Sequence, residues 1–268
     1  MEFEKITSVK NVGINEALAL RERKARDAAG LTIIDGIREV EAALQAGIVI
    51  QKIYMCPELM ERKQVSALLT KISKLKIQIL ETSRPVFEKI AFGERLEGMI
   101  ALARQPHRSL DDLALGPNPL LIVVEGVEKP GNLGAILRTC DAAGVDGLVV
   151  CDGRTDVYNP NVIRASLGAV FSVKTLQSSN EALLSFLKKN NISICAASPQ
   201  AALPYTKVDF KKPTAVIVGS EHEGLNPFWL RHADGAMKIP MFGKVDSLNL
   251  SATAAVVIYE VLRQRNGS

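Results

Sequence analysis

Three short stretches place polar side chains where a sheet protein keeps its ligands. The first, EKPGNLGAILRTCDAAG from Glu128 to Gly144, sets Asn132, Gly134 and Arg138 at the spacing Asn-x-Gly-x-x-x-Arg, directly behind the strand-like run Leu120 to Val124. A dinucleotide-binding turn needs G-x-G-x-x-G and an acid about 20 residues further on. Asp152 supplies such an acid, but the order Gly131-Asn132-Leu133-Gly134 does not supply the glycines, which leaves a nicotinamide enzyme as a minor alternative. No Gly-Lys-Ser/Thr follows, so a Walker loop is excluded. Asn132 is suited to cap a helix opening at Leu133. Arg138 has Gly134, Ala135, Asp141 and Ala142 at helical spacing. Two readings stand for it: a solvated or Asp141-paired surface cation, or a guanidinium left approachable to a ligand or a second chain.

The second stretch, GSEHEGLNPFWL, brackets Glu221 and Glu223 between Gly219 and Gly224. Paired carboxylates suit acid/base work, and equally suit the positive end of a helix opening near Asn226. In the third, IPMFGKVDSLNLSATAAVVIYEVLRQR, Ser247 and Asn249 precede a helix that is apolar around nearly its full circumference from Leu250 to Leu262. Such a helix is expected to be buried on all sides.

The elements that must position these residues follow from period and punctuation. LLIVVEG, GLVVCDG, ISICAAS and TAVIVGS are near-continuous apolar runs that each end in a small or acidic residue, the pattern of parallel strands covered on both faces. Ligands in such sheets gather at the carboxyl ends of strands, so the loops that begin at Glu125, Cys151, Ser198 and Gly219 are the ones that matter. Upstream, LTIIDG, VIQKIYMC, KIQILE and EGMIALARQP read as strands. Between them lie helices at IREVEAALQAG, around Glu61 to Lys74 and from Pro85, making a small α/β unit. A single basic helix is expected from Asn15 to Ala28, stopped by Gly30. The polar connector HRSLDDLALGPNP divides the chain into residues 1–106, a linker at 107–118 and a second α/β domain at 119–268.

With 268 residues and 47% apolar content the chain can bury a real core. Its apolar runs are too short for a membrane span and the opening MEFEKITSVKN does not read as a signal peptide; the cytoplasm is the expected location. The four cysteines, Cys56, Cys140, Cys151 and Cys195, are widely spaced, and with only three histidines neither a metal site nor a disulfide framework is expected. The net charge of +4 is mild, but Arg21, Arg23, Lys24 and Arg26 crowd into one short basic segment.

Taken together, Asn132/Gly134/Arg138, the Gly-x-Glu-x-x-Gly-Leu stretch of Gly219, Glu221, Gly224 and Leu225, and Ile239-Pro240-Met241 followed by Ser247-Leu248-Asn249-x-Ser251 resemble the SpoU/TrmH branch of the SPOUT RNA methyltransferases. The motifs stand in that family's order over Leu120 to the C-terminus. NVIRASLGAVF, with Arg164, Ser166 and Gly168, is similar to the family's segment between its first two motifs. The first hundred residues resemble, more loosely, a ribosomal-protein-like RNA-binding domain; Asp35 stands where relatives more often carry glutamate.

The resemblance implies a mostly parallel C-terminal sheet with a trefoil knot and an S-adenosyl-L-methionine pocket built from backbone at Gly219, Ile239 and Leu248. It implies methyl transfer to a ribose 2′-hydroxyl of RNA, ribosomal RNA before tRNA. Arg138 would act at the hydroxyl, with Asn132, Glu221, Ser247 and Asn249 positioning the arginine, ribose and cofactor. Arg21, Arg23, Lys24 and Arg26 would grip RNA phosphates, and a homodimer would form through the methyltransferase domain. An RNA-binding or assembly protein that keeps the fold without catalysis is the other class.

Overall fold

The computed structural model describes residues 3–61, 66, 69–72, 75, 77–92, 96–220 and 224–267. Glu221, and most of the helix expected around Glu61 to Lys74, lie outside the described residues. The chain forms two compact units: Met1–Pro106 with Tyr158–Ser172, and His107–Val157 with Val173–Ser268. Tyr158–Ser172, expected within the second domain, thus belongs to the first unit.

The first unit is built on a five-stranded sheet. Its strands are β1 (Glu4–Ile6), β2 (Leu31–Asp35), β3 (Ile50–Met55), β4 (Gln78–Thr82) and β5 (Met99–Arg104), in the order β1-β4-β3-β5-β2. β1, β4 and β3 run parallel, and β5 is antiparallel to both β3 and β2. Ile14, Ala17, Leu20, Ile33, Tyr54, Phe87 and Ile90 share one core.

The basic helix is not continuous. Helices Val12–Ala19 and Arg23–Ala29 are separated at Leu20 to Glu22, and Arg26 explains the break. It is only 1% exposed and its Nη1 donates to the carbonyls of Leu20 (2.9 Å) and Arg21 (2.6 Å). A cation on carbonyls that the first helix leaves unpaired is favourable both as a hydrogen bond and against the helix dipole.

Tyr158–Ser172 is held in this unit by polar contacts. Thr32 Oγ1 donates to the Tyr158 carbonyl at 2.8 Å. Arg164 Nη1 donates to the Phe92 carbonyl and lies 3.4 Å from Asp35 Oδ2. Gly168, in the turn between the helices Pro160–Ala165 and Ala169–Ser172, has φ +83°, and a Cβ there would lie 2.5 Å from that of Ala42 in the helix Ile37–Gln45, so this close approach requires glycine.

The second unit carries a seven-stranded, wholly parallel sheet. Its strands are β6 (Leu120–Glu125), β7 (Gly147–Cys151), β8 (Thr175–Ser178), β9 (Ser193–Ala197), β10 (Leu203–Pro204), β11 (Thr214–Val218) and β12 (Gly235–Lys238), in the order β10-β12-β9-β11-β6-β7-β8. β6, β7, β9 and β11 are the four apolar runs. β8, β10 and β12 were not foreseen, being two to four residues long and lacking a continuous apolar run. Leu121, Val123, Ala215 and Ile217 pack beneath Leu183, Leu187 and Trp229 of the helices Asn180–Lys189 and Pro227–His232.

The C-terminal helix, Leu250–Asn266, packs along the helix Pro130–Ala143. Its burial corrects the expectation drawn from its composition: Leu250, Ala254, Val257, Ile258 and Val261 are buried, whereas Ala252 and Tyr259, seven residues apart and so on one face, are exposed. Arg265 fastens its end to the carbonyls of Asn118 (2.8 Å), Phe210 (2.9 Å) and Lys212 (2.9 Å). Among the described residues no helix is long and apolar enough to cross a membrane.

Candidate functional site

The carboxyl ends of β9, β11 and β12 open into a cleft of about 460 Å³, within the range of small-molecule sites. Its floor and walls come from the loops that leave these strands and from the first turns of the C-terminal helix. Gly219, Ile239 and Leu248, the three positions expected to hold the cofactor, all line it, as does Ser247. Gly219 is required by local geometry: a Cβ there would sit 2.3 Å from the Gly224 carbonyl oxygen. Ser220 and Gly224 are joined by an antiparallel bridge, and Gly224 has φ +67°. Leu225, Leu230 and Met237 give the cleft an apolar side, while Ser198, Gln200, Lys238, Asp246 and Thr253 give it a polar one. A flat heterocycle read by main-chain groups, with a polar charged tail, suits that lining.

The individual polar lining residues were not singled out from sequence. A signal existed for two of them, since Ser198 opens one of the strand-end loops identified above and Gln200 follows in it. Lys238 and Asp246 belong to a strand end and a loop whose positions depend on the missed strand β12, and Thr253 lies in the first turn of the C-terminal helix.

Asn132 is not the helix cap. The helix opens at Pro130, with Lys129 at the N-cap position making no side-chain cap, so Asn132 falls inside the first turn. It lines a small hollow with Gly126, Lys129, Ser220 and Leu250. There Asn249 Nδ2 donates to Asn132 Oδ1 at 3.2 Å. Asn249 itself caps the C-terminal helix, its Oδ1 accepting from the Ser251 amide (2.9 Å) and hydroxyl (2.6 Å). One asparagine therefore fixes the helix start and ties it to the first motif. Ser220 and Leu250 line both the hollow and the larger cleft, so the Asn132–Asn249 pair borders the cleft.

Arg138 is exposed on the same helix, six residues and so about 9 Å of helix beyond Asn132, and is among the lining residues of neither hollow. The structure brings Asn132, Ser247, Asn249, Gly219, Ile239 and Leu248 together and leaves Arg138 on the open face. Cysteine chemistry has no place here: burial pushes the Cys195 thiol up to about 11 and those of Cys140 and Cys151 up to about 12, far from the thiolate state that a nucleophile needs.

The basic segment needs correction as a nucleic-acid surface. Arg26 is buried on the carbonyls described above, out of reach of any phosphate. Arg21 is committed too: Nη2 donates to the carbonyls of Lys89 (3.1 Å) and Ala91 (2.5 Å), and the guanidinium lies 4.6 Å from the Phe92 ring centroid. Arg23 and Lys24 are exposed, with Arg23 3.5 Å from Asp27 one helical turn on.

Residues 119–259 match the SpoU rRNA Methylase family, and residues 11–101 match the MRM3-like substrate binding domain. The 23S rRNA (guanosine-2'-O-)-methyltransferase RlmB of Haemophilus influenzae is 33% identical over 215 residues, an overlap of 78% of this chain and 87% of that protein. A solved RNA 2'-O ribose methyltransferase is similar over 98% of this chain and 99% of its own, with TM-score 0.85 and 41% identity. An AdoMet-bound rRNA methyltransferase from Sinorhizobium meliloti is similar over 97% and 98%, with TM-score 0.89 and 26% identity. The family match covers the strands, the cleft and the paired asparagines alike, and the chain belongs to the SpoU rRNA methylase family.

Proposed function

We propose that this protein transfers a methyl group from S-adenosylmethionine to a ribose 2′-hydroxyl of ribosomal RNA. The observation that carries the reading is the convergence of Gly219, Ile239 and Leu248 on one cleft, with the Asn132–Asn249 hydrogen bond at its border. The MRM3-like match over residues 11–101 supports RNA as the substrate.

In this reading the backbone of Gly219, Ile239 and Leu248 holds the adenosine, and Ser247 and Glu221 help to orient donor and ribose. S-adenosylmethionine supplies an electrophilic sulfonium methyl. The chain's task is to make a feeble alcohol nucleophile attack it. Arginine is a poor base, with a pKa above about 12, so Arg138 orients the hydroxyl and an adjacent phosphate and stabilises developing alkoxide charge. The proton leaves to phosphate or water. Asn132, held by Asn249, fixes the first turn of the helix that carries Arg138.

The same reading gives residues 1–106 the RNA and residues 119–268 the chemistry, with the C-terminal helix threaded through a trefoil knot and the protein working in the cytoplasm. It also makes the protein a homodimer. The exposed face of Ala252 and Tyr259 and the exposed Arg138 support a close helix approach there, of the self-complementary kind that a two-fold axis produces. Calorimetric titration with S-adenosylmethionine and with NAD tests the cofactor assignment: binding of the first and not the second is expected, and the reverse overturns it.

A further inference from the structure

We propose that Glu125 is a positioning residue that sets the apolar wall of the cofactor cleft; the inference rests on the reading of that cleft as the S-adenosylmethionine site. Glu125 ends β6 and is only 4% exposed, yet it is not among the cleft's lining residues. A carboxylate removed from water in this way must be repaid by well-placed donors, and both its oxygens have one. Oε1 accepts from Asn180 Nδ2 at 3.0 Å and Oε2 accepts from the Asn226 amide at 2.8 Å. The orientation of Asn180 is dictated in turn. Trp229 Nε1 lies 3.0 Å from Asn180 Oδ1, and because an indole N–H can only donate, Asn180 must turn its oxygen to Trp229 and its NH₂ to Glu125.

The donors therefore point one way throughout, and the residue at position 125 must accept twice. An ionised carboxylate does so; a glutamine of the same shape accepts once and presents an NH₂ to another donor. What these bonds hold is the wall. Asn226 lies between Leu225, which lines the cleft, and the helix Pro227–His232, which carries the fully buried Trp229 and the cleft-lining Leu230. One oxygen of Glu125 fixes the start of this helix, and the other, through Asn180, fixes its indole.

The test is calorimetric titration of S-adenosylmethionine into the full-length Glu125→Gln, Asn180→Asp and doubly substituted proteins, with near-ultraviolet circular dichroism to confirm packing. Each single variant faces two like groups and should bind about ten-fold more weakly. In the double variant the introduced glutamine can accept from the Asn226 amide and donate to the introduced aspartate, whose second oxygen accepts from Trp229. Affinity should return to within about three-fold of the parent. That rescue is not expected from a carboxylate needed at position 125 for its charge alone. Should Glu125→Gln fail to fold, Asn180→Asp and the double variant carry the same comparison. A silent Glu125→Gln, or a double variant no better than the singles, overturns the proposal. Thr253→Trp, which fills the cleft from the C-terminal helix, separates the two readings. Undiminished binding there means that the cleft is not the cofactor site; lost binding there with a silent Glu125→Gln means that only the role of Glu125 is wrong.

Discussion

At the scale of single residues, the type of a side chain was more legible than its duty. Asn132 was singled out, but as a cap for a helix beginning at Leu133. Pro130 is a favoured first helical residue, and that signal moves the helix start back and leaves the asparagine to accept from Asn249. Asn249→Ala should lower stability by about 1 kcal/mol through the lost cap and should also raise KM for RNA or lower kcat, read by denaturation and steady-state kinetics; an effect on stability alone would make it a cap only. Arg138→Ala should abolish methyl transfer while leaving S-adenosylmethionine affinity nearly unchanged, as calorimetry would report; retained activity would remove the arginine from the mechanism. The charge run at Arg21 to Arg26 was read as one phosphate-gripping surface because the carbonyl partners of Arg21 and Arg26 are set by a helix break and a distant loop that local spacing does not reveal. Arg26→Ala should cost about 2–3 kcal/mol, the loss of buried charge-assisted hydrogen bonds. Lys24→Ala should leave stability within about 0.5 kcal/mol. Equal effects in urea unfolding would contradict the division.

At the scale of elements, long strands buried on both faces announced themselves, whereas β8, β10 and β12 are fixed by neighbours rather than by their own composition. The C-terminal helix shows the same limit. Its apolar residues predicted burial all round, yet small and aromatic side chains at Ala252 and Tyr259 occupy an exposed face. The stretch NVIRASLGAVF, inside Tyr158–Ser172, was recognised by Arg164, Ser166 and Gly168, and the structure supplies the physical reasons: an ion pair, a hydroxyl bonded to the Ile163 carbonyl at 2.9 Å, and a close approach to the helix that carries Ala42. Its acidic partner makes it sensitive to pH. Burial, only partly offset by the Phe92 amide and Arg164, raises Asp35 from 3.8 to about 6. The folded unit thus prefers the protonated acid. The corresponding stability is fully present below 3.8 and is lost as pH rises through about 6. Glu39, raised by burial in the same way, acts with the same sign. Urea midpoints measured across this window should fall more steeply with rising pH for the parent protein than for Asp35→Asn; parallel curves would show that Asp35 is not responsible.

At the scale of the whole molecule, two α/β units and their order along the chain were legible from the change in strand pattern, but the return of Tyr158–Ser172 to the first unit was not, because no break in composition marks it. With Arg21 and Arg26 engaged internally, electrostatic contact from the basic segment falls to Arg23 and Lys24. Substituting both with glutamine should weaken RNA binding and reduce the slope of log affinity against log salt by at most about 2; an unchanged slope would place the RNA elsewhere. The central claim concerns the product. Purified protein incubated with ribosomal RNA and methyl-labelled S-adenosylmethionine, followed by nuclease digestion and mass spectrometry of the nucleosides, should yield a 2′-O-methylated ribonucleoside. Label on a base, or S-adenosylmethionine bound by the protein with no label reaching ribosomal RNA, would contradict it.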